Sequence, residues 1–166
     1  MNSKLIIALD NLEINHALNL ASLLSGHVWG FKVNDLLLKH GTQLIPWLGV
    51  HGNVFADAKL HDIPRTVGHG VHHLADMGAD IISVHLAAGE AALETALNNS
   101  GKSKIFGVSV LTSLSDRECN GIYQQDRKRL VQRMALEAST LGLPGIVCAA
   151  EELPLLENRR YLASQG

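Results

Sequence analysis

The stretch Asn53-Val54-Phe55-Ala56-Asp57-Ala58-Lys59-Leu60-His61-Asp62-Ile63-Pro64-Arg65-Thr66 decides how the rest of the chain is read. Residues 53–56 form an apolar run of the kind that makes a buried strand. Pro64 suits the first turn of a following helix, where its missing N–H costs little. Asp57, Lys59 and Asp62 therefore stand where a strand gives way to a loop. On an extended segment alternate residues share a face, so Asp57 and Lys59 are expected to point the same way. Asp62 lies past the strand end, where it can fold back over that face or reach a neighbour. On a surface helix such a triplet would be a solvated ion cluster of little worth. At the carboxyl end of a strand in a parallel α/β protein it occupies the position that carries chemistry.

A lysine held between carboxylates stays protonated and oriented. It can deliver a proton to carbon as carbanion-like charge develops. A carboxylate beside the substrate disfavours a second negative charge: at about 4 Å and an effective dielectric of ~20 the repulsion is roughly 4 kcal/mol. Losing that second charge as carbon dioxide relieves it.

Outward from this stretch, strands alternate with helices. Residues 4–9 read as a buried strand ended by Asp10, and Asn11 as the cap of a helix carrying Ile14, Ala17, Leu18, Ala21 and Leu24. Residues 28–33 form a second strand with Lys32 inside it. An unpaired lysine is costly to bury, so Lys32 either snorkels at a barrel end or pairs with a carboxylate across it. A helix over residues 35–48 is interrupted by Gly41 and Pro46. The helix after Pro64 sets His69, His72 and His73 on one face. No fourth metal ligand accompanies them, which favours a solvent-facing patch. Residues 80–86 make strand four, with His85 near its end. Asp57 and His85 alone would suit a metal-dependent epimerase, but the Lys59 ammonium stands where a cation would go. An Ala-rich helix covers 90–97. Strand five, 104–111, ends in Thr112-Ser113, hydroxyls that can cap the next segment. Residues 126–141 form an amphipathic helix with Leu130, Val131, Met134, Ala135 and Ala138 as its stripe. Residues 145–150 are strand six, and Glu151-Glu152-Leu153 opens a sixth helix.

Bulk properties narrow the class. At 166 residues, residues 1–166 read as a single domain. Apolar residues at 46% provide for a core, and a net charge of −2 without a basic run leaves no electrostatic footprint for nucleic acid. The two cysteines, Cys119 and Cys148, give neither a disulfide framework nor metal-ligand spacing, which suits a reduced cytoplasmic protein. Residues 1–3 run straight into a short strand, too short for a signal-peptide core or a membrane span. Six strand–helix units of roughly 25 to 30 residues each argue for a parallel (β/α) barrel, against eight units and about 250 residues in a full one.

Asp57-x-Lys59-x-x-Asp62-Ile63-Pro64-x-Thr66 closely resembles the signature of orotidine 5'-phosphate decarboxylases, the last enzymes of UMP synthesis. Its Asp-x-Lys-x-x-Asp part is shared with sugar-phosphate relatives, 3-keto-gulonate-phosphate decarboxylase and hexulose-phosphate synthase. Ile63-Pro64-x-Thr66 points to the nucleotide enzyme. Ala8-Leu9-Asp10, Phe31-Lys32-Val33-Asn34, His85 on strand four, Val108-x-Val110-Leu111-Thr112-Ser113 and strand six are also similar to family motifs. The resemblance implies a TIM-type barrel of the ribulose-phosphate-binding type and a metal- and cofactor-free decarboxylation of orotidine 5'-phosphate. It assigns Lys59 as proton donor, Asp57 beside the substrate carboxylate, and Lys32 organising Asp57 and the ribose hydroxyls. It gives Asp10 the ribose and Thr112 the base. Lys32, Asp57, Lys59 and Asp62 would form a Lys-Asp-Lys-Asp network, with Asp62, Ile63 and Thr66 supplied by the partner of a homodimer whose active site lies at the interface.

The resemblance ends near Leu153. Residues 155–166 hold no apolar strand and no Pro-Gly-Ile-Arg-like element, whereas the family's strands seven and eight supply its phosphate loop and arginine. No residue is carried over for these. An incomplete barrel of about six of eight units is expected, with open edges at strands one and six and weak turnover, because phosphate binding energy assists the reacting centre. A shortened chain, a second chain supplying the rest, and strand exchange in a dimer remain open. So do an inactive or partner-dependent remnant and a sugar-phosphate decarboxylase or aldolase of the same superfamily.

Overall fold

The computed structural model describes residues 4–157. The expectations for residues 1–3 and 158–166, a start without a signal peptide and a tail without a seventh strand, lie outside these residues. Six parallel strands run in sequence order across one sheet: β1 (Ile6–Ala8), β2 (Gly30–Val33), β3 (Asn53–Leu60), β4 (Ile81–His85), β5 (Lys104–Val108) and β6 (Gly145–Val147). The helices are α1 (Ile14–Leu24), α2 (Asp35–His40), α3 (Leu44–Gly49), α4 (Pro64–Asp76), α5 (Glu90–Asn98), α6 (Asp116–Tyr123), α7 (Arg127–Thr140) and α8 (Leu153–Glu157). The sheet curls into an incomplete barrel. Among the described residues β1 pairs only with β2, and β6 only with β5, so both edges are open as expected.

The core lies between the sheet and the helices. Phe31, Val33, Val54, Ala56, Ile82, Val84 and Ile105 are buried from the strands, against Ala17, Ala21, Leu48, Val71, Leu93, Ala96 and Leu130 from the helices. The strands are apolar along nearly their whole length because helical crossovers cover a parallel sheet. Gly30 shows how tightly neighbouring strands approach: a Cβ there would lie 2.0 Å from the Asn53 carbonyl oxygen.

Four local expectations change. Asn11 does not cap α1. Glu13 flanks that helix without a side-chain cap, and Asn11 turns the chain at φ 61, a region asparagine tolerates, with its N–H donated to Asp35 Oδ1 at 3.2 Å. The single helix over 35–48 is two, split at Gly41 with φ 74, and Pro46 sits harmlessly in the first turn of α3. Helix α6 was not anticipated. Ser115 and Glu118 form its capping box, a Ser-x-x-Glu signal present in the sequence. Strand β3 continues past Ala56 to Leu60. The three α4 histidines are exposed: His72 faces Asp76 at 3.4 Å and His73 Nε2 lies 2.9 Å from the Thr42 hydroxyl.

An apolar groove of about 540 Å³ between α7, β6 and α8 is lined by Leu136, Leu141, Leu143, Ile146, Leu155 and others. It lies away from the charged strand ends. No helix among the described residues is long and apolar enough to cross a membrane.

Gly30→Ala is expected to lower stability by about 2 kcal/mol or more, since the strands must separate to admit the methyl group. Urea denaturation measures it, and an unchanged midpoint would show that the β2–β3 contact yields freely.

Candidate active site

Four charged residues meet where β1, β2 and β3 end. Asp10 follows β1, Lys32 lies on β2, and Asp57 and Lys59 lie on β3. Lys32 Nζ is 2.6 Å from Asp10 Oδ2 and 3.4 Å from Asp57 Oδ2, and Lys59 Nζ is 2.5 Å from the same Asp57 oxygen. Lys32 thus pairs across neighbouring strands rather than snorkelling free. The result is a chain of alternating charge, Asp10–Lys32–Asp57–Lys59. Asp57 is 4% exposed, while the lysine side chains keep 23% and 32% of their surface.

Asp57 and Lys59 converge through a bulge rather than through simple alternation. Ala56 pairs with Ile82 and Leu60 with Val84, so four steps along β3 match two along β4. Bulges re-aim side chains beside active sites, and here Lys59 adopts φ 47. Two residues to which sequence reasoning gave no role hold the bulge. The Ser83 hydroxyl donates to Asp57 Oδ1 at 2.8 Å and accepts the Lys59 N–H at 2.9 Å. Asn34 Nδ2 donates to the Asp57 carbonyl at 2.6 Å. Their sequence signals were slight: one hydroxyl within an apolar strand, and one amide just past another.

Burial pushes the Asp57 carboxyl up, but hydrogen bonds from Lys59 and Ser83 and the charges of Lys59 and Lys32 outweigh it. The group titrates below its ordinary 3.8. His85 stands beside the cluster, its ring 5.2 Å from that of His61. Burial, then the positive fields of His61 and Lys59, carry it below its ordinary 6.5 despite Asp57, so the ring is neutral at pH 7. Asp10 Oδ1 is buried without a hydrogen-bond partner, a cost that a ligand hydroxyl would remove.

The remaining predicted residues stand apart. Asp62 is exposed and its Oδ1 accepts the Ile63 N–H at 2.7 Å. Ile63 is 66% exposed and Thr66 is exposed on the first turn of α4. Within one chain the second carboxylate of the network is therefore Asp10, not Asp62. Thr112 is exposed in the turn after Leu111. A partly buried ion pair ties that loop to the segment after β6: Arg127 Nε meets Glu152 Oε1 at 2.9 Å, and Arg127 also donates to the Leu114 carbonyl at 2.8 Å. Cys119 and Cys148 are free thiols. Among the described residues no group of three or more His, Cys, Asp or Glu is placed to hold a metal.

The sequence profile of the orotidine 5'-phosphate decarboxylase / HUMPS family matches residues 3–161. The orotidine 5'-phosphate decarboxylase of Methylacidiphilum infernorum is 41% identical over 172 residues, spanning 99% of this chain and 74% of its own length. That of Lawsonia intracellularis is 37% identical, spanning 91% and 70%. Among solved structures, orotidine 5'-phosphate decarboxylase from Lactobacillus acidophilus superposes with a TM-score of 0.82 at 29% identity, covering 95% of this chain and 76% of that one. The Methanocaldococcus jannaschii enzyme complexed with the inhibitor BMP gives 0.78 at 26% identity, covering 93% and 73%.

A carboxyl depressed by folding stabilises the folded state above its unfolded pKa, and that contribution is lost as pH falls through the lower folded value. The Asp57 contribution is therefore present at pH 7 and fades below 3.8. Urea midpoints at pH 7 and pH 3 should fall further for the parent chain than for Asp57→Asn. Equal falls would remove Asp57 as a source of acid sensitivity.

Proposed function

The chain belongs to the orotidine 5'-phosphate decarboxylase / HUMPS family, and on that premise we propose that its strand-end cluster converts orotidine 5'-phosphate to UMP. The observation that carries this reading is the Lys59 ammonium held 2.5 Å from Asp57 at the carboxyl ends of parallel strands. In the reaction the bond between C6 and the carboxylate breaks, its electron pair stays on C6, and carbon dioxide leaves. The Lys59 ammonium gives C6 its proton as that charge develops and is reprotonated from solvent afterwards. Asp57 stands beside the departing carboxylate and destabilises it relative to the charge-dispersed transition state. Because Lys59 supplies both proton and positive charge, the step calls for neither metal nor organic cofactor.

Lys32 orients Asp57 and reaches the ribose hydroxyls. The unpartnered Oδ1 of Asp10 accepts one of those hydroxyls, and Thr112 hydrogen-bonds the base. Ile63-Pro64-x-Thr66, together with the names of the relatives, favours the nucleotide over a sugar phosphate. Asp62, Ile63 and Thr66 act on the site of a second copy in a homodimer. Their exposure just before and at the start of α4, apart from their own chain's cluster, supports that arrangement. The two free thiols suit a reducing cytoplasm.

Lys59→Ala should cut decarboxylation by at least ~10³-fold, with a thermal melting curve like that of the parent chain. Parental turnover in this variant would end the mechanism. Mixing Lys59→Ala with Asp62→Ala tests the shared site. Random reassortment of dimers leaves about a quarter of the sites intact, so activity should recover to about that level. A mixture no more active than its components would place each site within one chain.

A further inference from the structure

We propose that Ser83 is the positioning residue that aims Asp57 and Lys59. Its hydroxyl locks the β3 bulge so that a single oxygen of Asp57 serves both lysines. The inference rests on the decarboxylase reading and deepens it, since neither the family motif nor the sequence pattern selects Ser83.

Ser83 lies mid-strand on β4, is 0% exposed, and is flanked by Ile82 and Val84. A hydroxyl there is costly unless it is bonded, and both of its bonds go to the proposed catalytic pair. It donates to Asp57 Oδ1 at 2.8 Å and accepts the Lys59 N–H at 2.9 Å. The second bond matters because the bulge takes the Lys59 amide out of the regular ladder, and its φ of 47 lies in a region disfavoured for residues with a Cβ. The Ser83 hydroxyl thus holds the strained backbone at Lys59 by accepting the Lys59 N–H.

The first bond selects an oxygen. With Oδ1 tied to Ser83, Oδ2 is the atom that receives Lys32 and Lys59. Rotation of the carboxylate about its last bond would break the Ser83 contact and scatter both ammoniums. Ser83 touches neither the solvent-facing side of the cluster nor any group assigned to substrate. It acts through Asp57 and Lys59, and proton delivery to carbon is sensitive to misplacement by about 1 Å.

The test compares the parent chain with Ser83→Ala and Ser83→Thr by two readouts: steady-state decarboxylation of orotidine 5'-phosphate, and a ¹³C NMR titration of the Asp57 carboxylate. Ser83→Ala should lower kcat by about 10- to 100-fold with KM changed less than about twofold, and should move the Asp57 titration upward through loss of a donor to the charged form. Ser83→Thr, which keeps the hydroxyl, should restore both. If Ser83→Ala fails to fold, Ser83→Cys carries the same expectation, filling the space with a weak donor. Parental kcat and an unmoved Asp57 titration in a folded variant would overturn the inference. Absence of turnover in the parent chain would instead overturn the decarboxylase reading, and the Asp57 titration would still decide whether Ser83 governs that carboxylate.

Discussion

One carboxylate oxygen, Asp57 Oδ2, receives two ammonium groups, and the site depends on that convergence. Two cations brought this close would repel each other without a shared anion, and a buried carboxylate without them would take up a proton. Each charge is tolerable because of the others. Asp10 extends the alternation on the far side of Lys32, so the cluster contains two negative and two positive groups and has no net charge.

The parallel sheet makes the convergence possible. Strand neighbours follow sequence order, so the carboxyl ends of β1, β2 and β3 lie side by side and present Asp10, Lys32 and Asp57 in a row. Lys59 lies two residues beyond Asp57 along β3, too far for that row in a regular ladder. The bulge between Ala56 and Leu60 folds it back. Backbone regularity is given up where the chemistry needs a second cation, and Ser83 and Asn34 stabilise the irregular segment with side-chain hydrogen bonds.

Much of this was legible in the sequence. Apolar runs ending in a charged residue marked β1 and β3, and a lysine embedded in an apolar strand narrowed Lys32 to snorkelling or an ion pair, of which the structure has the ion pairs. The irregularities were not legible. No local propensity signals that Lys59 will take a left-handed conformation, since the register between β3 and β4 imposes it. Ser83 reads like any small residue in a strand until its cross-strand neighbour is known. Asn11 carried a capping signal that the tertiary contact to Asp35 overrode. Helix α6 was visible in Ser115 and Glu118, but its weak apolar pattern concealed it.

The sequential order of the strands also sets the range over which the site is wired. The side-chain hydrogen bonds that join one strand end to the next span 22 to 26 residues, one β/α unit each. Everything from Asp10 to Ser83 is in place once β4 docks on β3, before β5 has a part to play. The charged cluster is therefore complete within the first four strands, and β5 and β6 contribute no residue to it.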